Sequence, residues 1–183
     1  MIMIRRSFIK RSLLGIPALT ALPSISFAEK PLKIGLAQWS LHRALRSKKL
    51  NNLDFAKTAK EKFDIDVVEY VNVFFSDKAK NKEYLNEMKL RSVDIGVKNS
   101  LIMVDGEGNL GDLNERKRIK AVDNHKKWVE AANYIGCNHI RVNAAGNGTE
   151  EDVSKYASDS LQKLGDFSKD FDINIIVENH GGY

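Results

Sequence analysis

The carboxylate of Glu178 directly follows a mainly apolar segment, residues 173–177. A charged side chain in such a place is costly unless a partner or a metal ion compensates its charge. His180 lies two residues further along and precedes two glycines, which allow a backbone or a ligand to approach closely. We therefore predict that Glu178 and His180 bind a ligand. The alternative is a salt bridge from Glu178 to a neighbouring Lys or Arg.

Polar and aromatic side chains also occupy the other apolar segments and their ends. The candidates for substrate binding are Trp39, His42, Glu69, Arg141 and Asn143. Glu69 interrupts an apolar segment, where it either contacts a substrate or pairs with Arg141 across the interior of a barrel. Trp39 either stacks on the face of a sugar or packs in a core, and His42 either joins the site or caps a turn.

These residues have to be positioned by strands and helices that alternate along the chain. The predicted strands are residues 33–40, 66–73, 95–104, 138–143 and 173–178, and the predicted helices are residues 52–63, 81–92, 115–135 and 150–169. Gly136 is expected to end the third helix in a left-handed conformation, and Thr149 to cap the start of the fourth. Trp128 on the third helix is expected to pack in the core, while packing or solvent accounts for His125. This alternation predicts a parallel α/β sheet whose functional side chains collect at the carboxyl ends of the strands.

The predicted strands and helices are compatible with two α/β architectures. They form either an incomplete (β/α)8 TIM barrel of about five βα units or a flavodoxin-like doubly wound sheet. No glycine-rich phosphate loop follows the first strand, where residues 38–42 read QWSLH. A doubly wound domain normally ends with a helix packed on the sheet, whereas this sequence stops just after its fifth strand. We therefore predict the barrel.

Composition argues against several classes of protein. The chain has 183 residues, of which 43% are hydrophobic and 29% charged, as expected of one globular domain. Of its formal charge of +5, residues 1–28 contribute +4, because they hold four basic residues and no acid, and the remainder carries +1. Such a balance argues against nucleic acid as a partner. The single cysteine, Cys137, excludes an intrachain disulfide framework and a cysteine cluster for zinc.

The first 28 residues have the pattern of an export signal. Arg5 and Arg6 precede an apolar stretch at residues 13–22, and residues 26–28 (SFA) place small side chains at the two positions that signal peptidase reads. The paired arginines resemble a twin-arginine signal, which implies the twin-arginine export machinery as partner and a periplasmic or secreted domain at residues 29–183. An uncleaved membrane anchor is the alternative. The apolar stretch is shorter than the ~20 residues of a spanning helix, so we expect cleavage and no stable membrane anchoring.

Four segments together resemble the xylose isomerase-like superfamily of sugar phosphate isomerases and epimerases. They are residues 33–41 (KIGLAQWSL), 66–71 (DVVEYV), 124–143 and 176–182 (IVENHGG). Members are TIM barrels in which the Glu after strand five, here Glu178, ligates a divalent cation, usually Mn²⁺, Mg²⁺, Co²⁺ or Zn²⁺. The other ligands of the family, an Asp, a His and a Glu, come from strands six to eight. The resemblance therefore leads us to expect a fragment of an enzyme about 100 residues longer, inactive on its own.

A metal-dependent reaction on a sugar follows from this resemblance. It implies isomerisation or epimerisation of a sugar or sugar phosphate by proton transfer next to a carbonyl, through an enediolate that the metal stabilises. Glu178 would be a metal ligand and an acid or base, and His180 would act beside it as a catalytic residue. The five substrate-binding candidates would orient sugar oxygens or line the floor of the site. A non-catalytic sugar-binding or scaffold protein is the alternative, and an endonuclease-like hydrolase of the same superfamily would need a more basic groove.

Overall fold

The structure is a computed structural model that describes residues 33–178 and His180. The α-helices are α1 (His42–Arg46), α2 (Phe55–Phe63), α3 (Lys82–Asp94), α4 (Glu115–Tyr134) and α5 (Glu150–Ser168), and short 3₁₀-helices cover Gln38–Leu41, Asn52–Asp54, Asn72–Phe74 and Lys169–Phe171. The strands are β1 (Leu36–Ala37), β2 (Val67–Val71), β3 (Lys98–Met103), β4 (Gly111–Asp112), β5 (His139–Asn143), β6 (Gly146–Asn147) and β7 (Asn174–Glu178). The predicted export signal at residues 1–28 lies outside the described residues. Among the helices described, none is long and apolar enough to cross a membrane.

The main sheet contains five strands in the order β1, β2, β3, β5 and β7, and every neighbouring pair is parallel. Each strand therefore lies beside the strand of this sheet that precedes it along the chain. A flavodoxin-like sheet would place its first strand between the second and the third, whereas here β1 is an edge strand. The prediction of a partial TIM barrel is thus confirmed, and the doubly wound alternative is wrong.

Alternate residues of the strands face the helices on one side and the interior of the barrel on the other. Ile140 and Val142 of β5 are fully buried in the core on the helix side, together with Ile102 of β3 and Trp128 of α4. The prediction that Trp128 packs in the core is therefore confirmed. Arg141 lies between Ile140 and Val142 and points to the interior side, so β5 supports the core and the candidate site at the same time.

The long helices begin and end close to the predicted residues. Thr149 Oγ1 accepts a hydrogen bond from the backbone N–H of Asp152 at 3.2 Å and so caps the start of α5. After α4 the chain turns at Gly136, whose φ of +82° is the left-handed conformation that glycine adopts without strain. Both predicted helix boundaries are confirmed.

The first strand is much shorter than predicted. Only Leu36–Ala37 pair with β2, and Gln38–Leu41 form a 3₁₀-helix in place of the expected end of the strand. The buried side chain of Gln38 accounts for this difference. Its Oε1 accepts a hydrogen bond from the backbone N–H of Val71 at 2.8 Å and so takes the place that a backbone carbonyl of a longer β1 would have. Trp39 therefore lies on a helical turn and not in a strand.

A second, two-stranded sheet, absent from the prediction, joins two loops that follow strands of the main sheet. Its strands β4 and β6 come after β3 and β5 and pair in parallel. Gly111 and Gly146 pack so closely that a Cβ atom at Gly146 would lie 2.3 Å from the carbonyl oxygen of Gly111. The glycine pair thereby ties the loop after β3 to the loop after β5.

Candidate functional site

Four polar side chains converge at the carboxyl ends of β3, β5 and β7: Asp105, Arg141, Asn143 and Glu178. Arg141 Nη1 donates to Asp105 Oδ1 and to Asn143 Oδ1, each at 2.9 Å. Asn143 Nδ2 donates to the same Asp105 oxygen at 2.9 Å. Arg141 Nε forms an ion pair with Glu178 Oε2 at 2.8 Å. The structure therefore brings three of the predicted site residues together around one guanidinium.

The register of the strands explains why these residues meet. Asn143 on β5 is the direct neighbour of Glu178 on β7, and Asp105 follows β3, which pairs with β5 on the other side. The backbone of Asp105 is fixed by Asn72: the Asp105 N–H donates to Asn72 Oδ1 at 2.9 Å, and Asn72 Nδ2 donates to the Asp105 carbonyl at 2.8 Å. Asp105 is thus held by its backbone from the end of β2 and by its side chain from β5.

Two carboxylates flank one guanidinium, so the cluster carries a net charge of −1. The side chain of Arg141 is 11% exposed, whereas that of Glu178 is 45% exposed. The salt bridge considered as the alternative role of Glu178 is present, with Arg141 Nε 2.8 Å from Glu178 Oε2. The carboxylate is still half-exposed and therefore accessible to a cation or to a hydrogen-bond donor of a ligand.

Glu69 does not join this cluster. The predicted alternative in which it pairs with Arg141 is wrong, and the strand register gives the reason. Glu69 on β2 neighbours Leu101 on β3, which neighbours His139 on β5, and His139 lies two residues before Arg141 on the same face of the strand. The carboxylate of Glu69 therefore lies one layer away from the guanidinium, and its contact with a substrate stays a prediction.

Trp39 lies on the surface at the end of β1, and its side chain is surrounded by aromatic and cationic neighbours. The residue is 44% exposed, so the alternative of core packing is wrong. The ring of His42 stacks on the indole with 5.1 Å between centroids, and the guanidinium carbon of Arg46 lies 5.0 Å from the indole centroid. His42 Nδ1 lies 2.7 Å from the carbonyl oxygen of Trp39, so it closes the helical turn as its alternative role required. Stacking of Trp39 on a sugar stays a prediction.

His180 is exposed and makes no hydrogen bond or ion pair with the residues that the structure describes. Residues 179 and 181–183 lie outside the described part of the chain. The structure therefore does not bring His180 into the cluster around Arg141, and its catalytic role stays a prediction.

Sequence reasoning missed two acidic residues in the loop that follows β3. Asp105 belongs to the cluster described above, and Glu107 Oε1 accepts a hydrogen bond from the buried Trp128 Nε1 at 2.6 Å. The loop at residues 105–114 holds three acidic residues, of which only Asp105 lies close to the end of the strand. That position was the one available signal for its role.

A small cavity of about 80 Å³ lies next to this loop and is lined in part by His125 and Asn143. His125 is 2% exposed, and its Nδ1 lies 2.7 Å from the carbonyl oxygen of Ala121 on the same helix. Burial lowers the pKa of His125, so the imidazole is neutral at neutral pH. Packing therefore accounts for this histidine.

Among the described residues of the candidate site, only Glu178 is proposed as a ligand for a metal ion. Within the described ranges, no group of three or more His, Cys, Asp and Glu side chains could hold a metal ion. The half-exposed carboxylate of Glu178 can supply one ligand, and a carboxylate oxygen suits each of the divalent cations considered. A complete site would need further ligands.

Family comparison agrees with the fold. Residues 57–183 match the model of the family described as xylose isomerase-like TIM barrel. The chain therefore belongs to the xylose isomerase-like TIM barrel family. Comparison with curated proteins gave no match.

Solved structures with the same fold include enzymes that act on sugars. A sugar phosphate isomerase/epimerase from Parabacteroides distasonis is 19% identical, with a TM-score of 0.59 over 90% of this chain and 56% of its own. A D-psicose 3-epimerase from Clostridium cellulolyticum, solved with D-tagatose, is 11% identical, with a TM-score of 0.65 over 79% of this chain and 51% of its own. The IolI protein, solved with zinc, is 14% identical, with a TM-score of 0.61 over 80% of this chain and 51% of its own. The chain spans about half the length of these proteins, and at such identities the likeness shows the fold alone.

Proposed function

We propose that this chain forms part of a sugar isomerase or epimerase that moves a proton next to a carbonyl. The observation that carries the proposal is the half-exposed carboxylate of Glu178 at the carboxyl end of β7, beside the guanidinium of Arg141 with which it forms an ion pair. Family membership and the sugar-acting enzymes of the same fold support it. Glu178 would provide one ligand for Mn²⁺, Mg²⁺, Co²⁺ or Zn²⁺, and the other ligands would come from outside the described residues.

Each residue near Glu178 would then have a distinct task. A divalent cation, when bound, supplies the charge that stabilises an enediolate oxygen. Arg141 would hold Glu178 in one orientation, as residues behind a metal ligand commonly do. Asn143 uses both ends of its amide within the cluster, so we assign it to holding Arg141 and Asp105 rather than the sugar. His180 would face the substrate, and the exposed indole of Trp39 would stack on the C–H face of the sugar ring.

Paramagnetic broadening by Mn²⁺ in amide NMR spectra tests the ligand role of Glu178, since it detects weak binding. We expect Mn²⁺ to broaden the signals of Asn143 and Val177 in the wild-type chain but not in Glu178→Gln, which keeps the shape and removes the charge. Glu150→Gln, at an exposed position in α5, is the matched control and should leave this broadening unchanged. Equal broadening in wild type and Glu178→Gln, or none in the wild type, contradicts the proposal.

The catalytic part of the proposal is tested on the gene and then on its product. Translation of the DNA after the codon for Tyr183 should reveal strands that end in Asp, His and Glu at about 30-residue spacing. The protein extended in this way should exchange the proton next to the carbonyl of a ketose for deuterium in D₂O, as detected by NMR. The absence of such strands, or an extended protein that shows no exchange with any of the four cations, contradicts catalysis.

A non-catalytic sugar-binding protein is the second candidate. Within the described ranges no cluster could hold a metal ion by itself, and Trp39 offers an exposed ring to a sugar. Such a protein would bind a sugar in the presence of a chelator, and Trp39→Ala would abolish this binding. Calorimetry with and without the chelator separates the two functions, since the isomerase requires the cation.

We also propose that the domain is exported by the twin-arginine machinery and acts in the periplasm or outside the cell. The support is the sequence of residues 1–28 alone. Cell fractionation should find a protein that starts near Glu29 outside the cytoplasm. The double substitution Arg5→Lys and Arg6→Lys should retain the full-length chain in the cytoplasm, and retention of the wild type as well contradicts this proposal.

A further inference from the structure

We propose that the segment after β1 binds an anionic group, a carboxylate or a phosphate, of the sugar on which this protein acts. The guanidinium of Arg46 makes the contact, beside the exposed ring of Trp39. The proposal rests on the proposed function, because it takes a sugar as the ligand. It narrows that ligand to an anionic sugar and adds a residue that neither the sequence pattern nor the family comparison singles out.

Positive charge is concentrated in residues 33–53. This segment contains five Lys and Arg residues and no Asp or Glu, whereas residues 54–183 contain 19 basic and 23 acidic residues, a net charge of −4. Four of the five cations lie on α1 and the turn after it, and all four are exposed: Arg43, Arg46, Lys48 and Lys49. The carboxyl end of β1 is therefore positive, whereas the rest of the barrel is negative, so an anion is attracted to this end.

No carboxylate of the described residues neutralises these four cations. Within the part of the chain that the structure describes, none of the four side chains forms an ion pair or a hydrogen bond. Asp54, the next acidic residue along the chain, pairs instead with Arg91 at 2.6 Å. The charge of this segment thus remains available to a ligand.

Arg46 is positioned by an aromatic ring and not by a carboxylate. Its guanidinium carbon lies over the indole of Trp39, 5.0 Å from the ring centroid. The attraction between a cation and an aromatic face restrains the guanidinium without neutralising its charge. Its planar set of N–H donors matches the oxygens of a carboxylate or a phosphate in pairs, which a lysine could not do. Arg46 is therefore the member of the group best suited to bind an oxyanion.

Arg46 lies at the end of the barrel that carries the candidate site. α1 begins five residues after the end of β1, and the carboxyl ends of parallel strands face one end of a barrel. Glu178 also lies at the carboxyl end of its strand, β7. An anionic group held beside β1 therefore orients the rest of the sugar relative to the other strand ends.

Three sugars that differ only at carbon six test the requirement for charge: D-glucose, D-glucuronate and D-glucose 6-phosphate. Each is titrated into the 183-residue chain, and the indole N–H signal of Trp39 in NMR spectra reports binding. The indole N–H of Trp128, which is buried and donates to Glu107, is the internal reference. We expect the anionic sugars to bind about tenfold more tightly than glucose, or more. Tight binding of only one of them identifies the group as a carboxylate or a phosphate, whereas equal binding of all three, or of none, overturns the proposal.

Substitution of Arg46 tests which cation makes the contact. Arg46→Gln should weaken the binding of the anionic sugars by about tenfold or more and leave the binding of glucose unchanged. Arg46→Lys keeps the charge but loses the planar donors, so it should recover only part of the affinity. Arg116→Gln, at an exposed position of α4, is the matched control and should have no effect. An affinity that is unchanged in Arg46→Gln, or lowered equally by Arg116→Gln, overturns the proposal.

These results are distinguishable from a failure of the proposed function. Charge-dependent binding at Arg46 in a chain whose Mn²⁺ broadening does not depend on Glu178 rejects the isomerase and retains the anion site. Mn²⁺ broadening that depends on Glu178, without charge-dependent binding of sugars, retains the isomerase and overturns the anion site.

Discussion

Replacement of Gln38 by methionine tests how the end of β1 is held to the rest of the sheet. Gln38 is fully buried, its Oε1 accepts the backbone N–H of Val71 at 2.8 Å, and its Nε2 donates to Asn52 Oδ1. Asn52 in turn donates to the hydroxyl of Tyr84 at 2.8 Å, so a single side chain connects β1 with β2 and, through Asn52, with α3. Methionine is an unbranched side chain of similar size that has no donor for Asn52 and only a weakly accepting sulfur in place of the Gln38 oxygen.

The expected loss of stability follows from the two groups that this substitution leaves without partners. A buried donor or acceptor that is left unsatisfied costs about 1–3 kcal/mol. The N–H of Val71 and Oδ1 of Asn52 therefore cost roughly 2–6 kcal/mol together, and burial of the apolar methionine offsets about 1–2 kcal/mol. We expect the free energy of unfolding to fall by about 3 kcal/mol, a large part of the roughly 5–15 kcal/mol that stabilises a typical domain.

Urea unfolding followed by circular dichroism measures this loss as a lower midpoint at an unchanged slope. Gln162→Met is the matched control, because Gln162 is exposed on α5 and, among the residues described, its side chain bonds only to Asp166, at 3.0 Å. The reasoning is refuted if Gln38→Met loses less than about 1 kcal/mol, or no more than the control. In addition, Gln38→Met and Asn52→Leu should cost less together than the sum of the single substitutions, since they remove the same hydrogen bond.

Two further predictions concern the loops beside the site. Burial lowers the pKa of His125 below its ordinary value of 6.5. As the pH falls below 6.5, this histidine therefore binds a proton in the unfolded chain but not in the folded chain. The free energy of unfolding then falls by up to about 1.4 kcal/mol per pH unit. Urea unfolding at several pH values should show this slope, and His125→Gln should remove the contribution of this group; equal slopes in both proteins contradict it. Gly146→Ala should open the β4–β6 pairing, because the new Cβ would meet the carbonyl of Gly111, and the Gly111 amide should exchange with deuterium about tenfold faster or more. Gly165→Ala, whose Cβ meets nothing within 4 Å, is the matched control and should leave that exchange rate unchanged.

The helix boundaries could be predicted because the interactions that set them are local in sequence. Thr149 lies three residues before the N–H that it caps, and Gly136, which has the positive φ at the end of α4, donates its N–H to the carbonyl of Asn133 three residues earlier. The length of β1 could not be predicted in this way. It depends on a hydrogen bond between Gln38 and Val71, which are 33 residues apart, and hydrophobic periodicity carries no information about such a bond.

The sequence predicted which strand ends carry the candidate site, but not which side chains contact one another there. Parallel strands bring their carboxyl ends to one edge, so Arg141, Asn143 and Glu178 were expected to lie near one another. Which carboxylates pair with Arg141 depends on the register between strands. Glu69 lies in the layer of His139, two residues before Arg141, whereas the observed partners Asp105 and Glu178 lie at the carboxyl ends of β3 and β7.

The order of strands in the main sheet also has a consequence for synthesis on the ribosome. Each strand after β1 pairs with the strand of this sheet made just before it, and each crossover contains a single long helix. A growing chain can therefore add one strand and one helix at a time to a sheet that already exists, because the partner of every new strand has been translated earlier. A doubly wound sheet must instead add strands to both of its edges, whereas here the sheet extends from one edge in the order in which the strands are translated.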